Sequence, residues 1–291
     1  MRTLLIRLLC ALTRMFPPLS LDRLAARFHP EQVGGAEHSI RYGASRVCVR
    51  WTNRREWDLY ATGLYEPHVT RMLRRHAPPG GYAIDVGANL GLHTLTLSRA
   101  VGTMGRVLAL EPNPPVRARL EQNLALNPHA RNVTVDPRGA SDRAGTAHLH
   151  TPEGDPITGK GSLVAHNAPG WINTSVAVET VDSIVAALGW PRVDLIKVDV
   201  EGHDLPVLRG AAGILERHRP ALVIEYEPPL WQAAGYSFAG LVDLLQPLGY
   251  RLWFLPPDRW RGLRRSAPVA LGNSVPAALA SRPLDVIALP A

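Results

Sequence analysis

Three segments, each an apolar run that ends in acids, are where this chain could do chemistry. The first reads Tyr82-Ala83-Ile84-Asp85-Val86-Gly87-Ala88-Asn89-Leu90-Gly91. The second is Gly105-Arg106-Val107-Leu108-Ala109-Leu110, which stops at Glu111 about twenty residues beyond the first. A buried strand, a tight glycine turn, a helix and a second strand ending in a carboxylate make a nucleoside-binding βαβ unit. Glu111 can accept hydrogen bonds from both ribose hydroxyls and would repel a phosphate, so the ligand carries free 2′ and 3′ hydroxyls. The third segment, Asp194-Leu195-Ile196-Lys197-Val198-Asp199-Val200-Glu201-Gly202-His203-Asp204, rises as a strand and turns into a helix. One acid before a helix is often only an N-cap. Three acids and a histidine within six residues exceed what a cap requires, which makes Asp199, Glu201 and His203 the candidate catalytic groups. Strand alternation sends Lys197 and Asp199 to the same side.

The glycine spacing narrows the nucleoside. Dinucleotide sites use G-x-G-x-x-G, which lets a pyrophosphate sit on bare backbone at a helix N-terminus. That spacing is absent here; Gly87 and Gly91 bracket Asn89 instead. The D-x-G-x-N-x-G form suits S-adenosylmethionine, whose methionine end brings an ammonium and a carboxylate in place of phosphates. Asp85 is then expected to face the ammonium, with the amides of the turn toward the carboxylate.

Transfer of that ligand's methyl group is an in-line displacement at a sulfonium, and holding the reactants in line supplies much of the rate. An alcohol acceptor also needs a destination for its proton. Asp199, Glu201 or His203 could take it, or the carboxylates could hold a divalent ion that acidifies the hydroxyl. Oxygen ligands point to magnesium, because no cysteine or paired-histidine metal motif is present. A second histidine, His93, on the first turn of the helix after Gly91, is more ordinarily a packing residue.

These residues need a scaffold, and the chain alternates between strand and helix in a way that supplies one. Strands are expected at 82–86, 106–110, 132–136, 193–199, 221–226, 250–254 and 284–289. Helices are expected at 90–100, 114–126, 179–188, 204–218 and 237–247. Such alternation predicts an α/β fold, a doubly wound, mostly parallel sheet with ligands at the carboxyl ends of its strands. Ahead of it, residues 39–51 alternate as a hairpin around Gly43-Ala44-Ser45. Tyr65-Glu66-Pro67 opens a helix with Val69, Met72 and Leu73 inward. Residues 151–175 carry no helical period and read as loop with short strands; with 255–283 they are expected to shape an acceptor pocket. Trp171, Trp231 and Trp260 could floor it, although tryptophan more commonly packs.

Composition sets outer bounds. The chain has 291 residues, 20% of them charged, and a net charge of +7, an ordinary globular composition. Its arginines are scattered apart from a cluster between Arg259 and Arg265, so nucleic-acid binding is the minority reading. Cys10 and Cys48 offer neither metal spacing nor a disulfide framework, in keeping with a reducing, cytoplasmic setting. Residues 1–20 form a basic amphipathic pattern in which Arg7 interrupts the apolar run. That excludes a membrane span and makes a poor secretory signal, but permits peripheral membrane contact. Residues 1–63 are thus an N-terminal extension, and 64–291 the main domain.

At this point the text resembles the FkbM family of S-adenosylmethionine-dependent methyltransferases. The resemblance runs from Leu64-Tyr65-Glu66-Pro67 through I-D-V-G-A-N-L-G, V-L-A-L-E-P-N-P and Asn123-Leu124-Ala125-Leu126-Asn127. It continues with Ala140-Ser141-Asp142, Gly161-Ser162-Leu163, I-K-V-D-V-E-G, Leu208-Arg209-Gly210-Ala211 and Pro220 through Glu225. It implies a class I, Rossmann-like enzyme that methylates a hydroxyl on a sugar, polyketide or other small metabolite. It also implies Asp85, Gly87, Asn89 and Gly91 around the methionine part, Glu111 on the ribose and Asp142 near the adenine amino group. Two positions depart from the family's usual text: His93 replaces a tyrosine or phenylalanine, and His203-Asp204 replaces alanine-glutamate.

Three rivals remain. Methylation of amino groups on nucleic acid or protein would call for an Asn/Asp-Pro-Pro-aromatic turn where this chain has Asp-Val-Glu-Gly. A nicotinamide-dependent oxidoreductase would need the missing third glycine. A non-catalytic binding protein would be expected to have lost the acidic cluster.

Overall fold

The computed structural model describes residues 37–50, 54–153, 160–164, 169–258, 265–272, 274–276 and 281–291, together with Leu12. The amphipathic pattern of residues 1–20, Leu12 apart, lies outside the described residues, as do Trp260 and most of the basic cluster before Arg265.

The chain opens with β1 (Glu37–Tyr42) and β2 (Ser45–Arg50), then α1 (Arg54–Thr62) and α2 (Pro67–His76). The first half of the core follows: β3 (Tyr82–Val86), α3 (Leu92–Val101), β4 (Arg106–Leu110), α4 (Pro114–Ala125) and β5 (Val133–Asp136). Next come β6 (Gly139–Ala140), β7 (Gly145–Pro152), β8 (Trp171–Glu179) and α5 (Val181–Ala187). The second half holds β9 (Leu195–Val198), α6 (Asp204–Arg209), α7 (Ala212–Arg217), β10 (Ala221–Tyr226), α8 (Pro228–Ala233) and α9 (Phe238–Leu245). It closes with β11 (Tyr250–Leu255), β12 (Val269–Leu271) and β13 (Leu284–Pro290).

Eight strands form the central sheet in the order β12-β11-β13-β10-β9-β3-β4-β5. Strands β10, β9, β3, β4 and β5 run parallel, while β13 inserts antiparallel between β10 and β11. The parallel strands are near-continuous apolar runs because helices cover both faces; Ile84, Leu108, Ile196 and Leu222 are fully buried. From β3 the chain winds one way to β4 and β5, then returns to wind the other way through β9 and β10. The reversal leaves a crevice between the carboxyl ends of β3 and β9, where ligands bind in open α/β sheets.

Several expectations need revision. The region read as loop with short strands between 151 and 175 holds the ends of two longer strands in a three-stranded sheet, β6-β8-β7, in which Gly145–Pro152 pairs antiparallel with Trp171–Glu179. Its one wet face hides their full length: in β8, Val176 and Val178 are buried while Asn173, Ser175 and Ala177 are exposed. The helix expected at 204–218 is two helices, interrupted where Gly210 lies against Ser141. A Cβ there would sit 2.0 Å from the Ser141 carbonyl oxygen. Helices α1 and α8 have no counterpart in the sequence reading.

The expected hairpin is β1–β2, turned through Gly43 at φ +56°. It is docked on α4 by two asparagines. Asn123 Oδ1 accepts from the Cys48 amide at 2.7 Å, and Asn127 Oδ1 from the Arg46 amide at 2.9 Å. Helix α2 starts on Pro67 and buries Val69, Met72 and Leu73 on one face, as its spacing predicts. Among the described residues, no helix is long and apolar enough to cross a membrane.

Candidate functional site

The glycine turn after β3 is shaped by how closely it meets the end of β9. A Cβ on Gly87 would fall 1.9 Å from the Asp199 carbonyl oxygen, and φ is +76°, so only glycine fits. Asn89 takes φ +51°, a left-handed conformation that asparagine tolerates. This turns its amide onto the Glu111 carboxylate, with N to Oε2 at 2.8 Å. The other oxygen, Oε1, accepts from the Asn113 amide at 2.9 Å. Burial pushes Glu111 up to about 7 against the pull of those two amides. Each oxygen keeps a lone pair for a ligand hydroxyl.

Glu111 lines a crevice of about 680 Å³, open mouth included. Gly87, Asn89, Asp199 and Glu201 form its wall at the sheet, and Val116, Leu149 and Leu163 its apolar side. Among the described residues, the charged side chains of the lining are Glu111, Asp199 and Glu201, with no cation. A pyrophosphate would meet repulsion there. A ligand with ribose hydroxyls, a flat apolar base and a cationic sulfonium fits the same donor set.

The turn after β9 is braced from two sides. Asp204 is buried and accepts from the Val200 and Gly202 amides and from Trp231 Nε1. Burial, followed by the charge of Asp199, raises Asp204 to about 7. Ser162 donates its hydroxyl to the Glu201 carbonyl at 2.6 Å, which latches the loop after β7 to the same turn. Glu201 itself sits at φ +52°. Trp231, a candidate acceptor floor, is instead fully buried against Tyr226. Trp171 begins β8, half-buried.

A second cavity, narrow at about 20 Å³ inside and about 380 Å³ once its open mouth is counted, shares Gly87, Asn89 and Asp199 with the first. Tyr65, His93 and Lys197 complete its polar lining together with Glu56. Lys197 lies 3.1 Å from Asp199 Oδ2 and 3.5 Å from Asp85 Oδ1. Burial pulls its pKa down, but Asp199, Asp85 and Glu66 outweigh burial and hold it above the usual lysine range. Glu225, from β10, joins Asp199 and Glu201, with carboxylate oxygens of all three within 4.8 Å of one another. The charge of Asp199, then burial, pushes Glu225 well above the usual carboxylate range.

The residues singled out from sequence separate into two groups. Gly87, Asn89, Glu111, Asp199 and Glu201 converge on the crevice. Asp85, Gly91, Asp142 and His203 do not line it. Asp85 is fully buried, accepts from Thr94 at 2.6 Å and lies 3.5 Å from the Lys197 ammonium. Gly91 caps α3, and a Cβ there would meet Leu120 at 2.5 Å. Asp142 lies at the rim with Arg143 4.0 Å away. His203 points to Ser141 Oγ at 3.0 Å and away from both acids. Sequence reasoning missed Glu225 and the pairing of Glu66 with His93. Glu225 ends its own apolar strand, as Glu111 does, and that signal was present.

Residues 85–252, more than half of the chain, match the Methyltransferase FkbM domain. The hexuronic acid methyltransferase AglP of Haloferax volcanii is 34% identical over 155 residues, covering 52% of this chain and 58% of that protein. The chain therefore spans little more than half the length of that relative. Methyltransferase sdnD of Sordaria araneosa is 29% identical over 184 residues, covering 52% of this chain and 68% of that protein. An S-adenosylmethionine-dependent methyltransferase from Agrobacterium tumefaciens shares the fold, with a TM-score of 0.50 at 9% identity over 88% of this chain and 71% of that one. With the sheet order, the glycine turn and the domain match in agreement, the chain belongs to the FkbM family of S-adenosylmethionine-dependent methyltransferases, on the class I α/β fold.

Proposed function

We propose that the protein transfers a methyl group to a hydroxyl oxygen of a small molecule, with sugars and their acids the first class to try. The observation that carries this is the meeting of two cavities at Gly87, Asn89 and Asp199. The larger suits S-adenosylmethionine, with Glu111 on the ribose hydroxyls and the amides of the glycine turn toward the methionine end. The smaller is left for the acceptor, and Asp199 stands where the methyl must pass from one to the other. There its carboxylate orients the acceptor hydroxyl in line with the sulfonium. His203, bonded to Ser141, takes no part in this reading. The acids of both cavities disfavour a phosphate backbone as acceptor. The relative that acts on a hexuronic acid gives the choice of sugars.

A second reading puts a divalent ion on Asp199, Glu201 and Glu225, whose clustered oxygens are the donor type that magnesium takes. Bound there, it would supply Lewis acidity toward the acceptor hydroxyl. The ammonium of Lys197, 3.1 Å from Asp199 Oδ2, already offsets part of that negative charge, which favours the metal-free reading.

Calorimetry with S-adenosylhomocysteine should show one site per chain. No heat in the intact protein would end the methyl-transfer reading. Chelator treatment followed by magnesium, scored by methyl transfer to sugar acceptors, separates the two versions: activity lost and restored supports the ion, activity unchanged supports the metal-free reading.

A further inference from the structure

His93 is a buried, titratable group that the reading above leaves unused. It lies in the first turn of α3, is 4% exposed and lines the smaller cavity with Tyr65, Lys197 and Asp199. Its Nε2 stands 2.8 Å from Glu66 Oε2, and the Tyr65 ring packs against it at 5.2 Å between centroids. Its Nδ1 is buried and has no hydrogen-bond partner among the described residues. Leaving such an atom unsatisfied costs about 1–3 kcal/mol, a cost that a ligand donor in the cavity would relieve. Glu66 is held at φ +37° in the turn that opens α2, a conformation that non-glycine residues adopt only when their surroundings impose it. A Glu66 carboxylate on Nε2 suits a tautomer with the ring proton at Nε2 and the lone pair at Nδ1. An acid that orients a histidine whose other nitrogen is free is the arrangement of a general base.

We propose that the smaller cavity holds the acceptor, an alcohol-bearing small molecule, and that His93, oriented by Glu66, takes its hydroxyl proton. This rests on the methyl-transfer reading above. The acceptor oxygen forms a bond to the methyl carbon as the carbon–sulfur bond breaks. The electron pair of that bond stays on sulfur, which becomes a neutral thioether. The hydroxyl proton goes to Nδ1, and the Glu66 carboxylate balances the imidazolium charge. Asp199 is less free for this task, since Lys197 and Glu225 both engage it. Glu56, which also lines the cavity, is taken by Arg119 at 3.0 Å.

Two measurements test it. In NMR of the histidine ring nitrogens, with S-adenosylhomocysteine bound, the His93 signals are identified by their loss in His93→Phe. Near neutral pH, Nε2 should carry the proton and Nδ1 should be bare, and Glu66→Gln should disturb that tautomer. A proton on Nδ1, or signals unchanged in Glu66→Gln, overturns the assignment without any acceptor being needed. Transfer from radiolabelled S-adenosylmethionine to methyl glucoside and glucuronic acid is the second measurement. It should fall about a hundredfold in His93→Gln and in His93→Phe, with S-adenosylhomocysteine affinity held within about twofold. Undiminished transfer in either variant also overturns it. Absence of S-adenosylhomocysteine binding in the intact protein would instead defeat the methyl-transfer reading, and is distinguishable from both.

Discussion

The two cavities meet at three residues but are built by different means. The larger is organised by main chain: a turn that only glycine allows, two amides that aim Glu111, and strand ends set by the sheet register. The smaller is organised by charge. Lys197 is held between Asp85 and Asp199, Glu66 holds His93, and Arg119 holds Glu56. Main-chain geometry follows from a few neighbouring residues, and it tolerates different ligands only if they share a shape. A charge network depends on every member, because a buried charge that loses its partner is strongly destabilising. On the proposed reading, the contrast suits fixed cofactor recognition in the first cavity and adjustable acceptor chemistry in the second.

Breaking the charge network should have the largest effect. Lys197 is 4% exposed and is the cation between Asp85 and Asp199. Lys197→Met keeps the side-chain length and removes the charge, leaving two acids uncompensated. Chemical denaturation should show a loss of about 3–5 kcal/mol. A loss under about 1 kcal/mol would mean that the acids neutralise themselves by taking up protons, and that the network is less interdependent than the distances imply.

Asp199→Asn comes next, because Asp199 belongs to both cavities and the comparison turns on it. With Asp85 still on Lys197, the fold should hold. The turnover number should fall by about a hundredfold while S-adenosylhomocysteine affinity stays nearly constant. Affinity and turnover falling together would assign Asp199 to the main-chain cavity and to cofactor placement.

The same contrast governs what could be read from the sequence. The turn 85–91, Glu111 and the 197–201 strand end were legible because each is a local spacing of residue types within one strand–turn–helix unit. Lys197 and Asp199 fall on one side through alternation alone, and their 3.1 Å contact follows from it. Glu225 was not legible as a partner of Asp199, since only the β9–β10 pairing brings them together. The same is true of Glu66, whose meeting with His93 depends on α2 packing across α3. Asp85 and His203 were singled out by residue type, and nothing in the sequence signals their contacts with Thr94 and Lys197 and with Ser141. The sheet β6-β8-β7 was hidden by strands with one wet face, which carry half the apolar signal of a buried one.

The smallest expected effect, a pH dependence, tests the main-chain cavity through Glu111. Burial raises this acid from an ordinary 4.5 to about 7, and the amides of Asn113 and Asn89 only partly oppose it. In the unliganded protein, the stability contributed by the protonated form is fully present below about 4.5. It is lost as pH rises through about 7, because the folded state then gives up a proton it held more tightly than the unfolded chain. Ligand binding should run the other way. Ribose hydroxyls donate to the carboxylate, so they select the ionised form. Below about pH 7 the ionised fraction falls about tenfold per unit, and affinity should follow it. Calorimetry with S-adenosylhomocysteine should therefore show binding about tenfold weaker at about pH 6 than at about pH 8. Asp204, also raised to about 7, lines neither cavity and should not add to this dependence. Glu111→Gln should flatten the profile while weakening binding by about 1–3 kcal/mol at the higher pH, through lost charge-assisted hydrogen bonds. A flat profile in the intact protein would mean that Glu111 keeps one protonation state with and without ligand, and that the ribose is held by the turn amides instead.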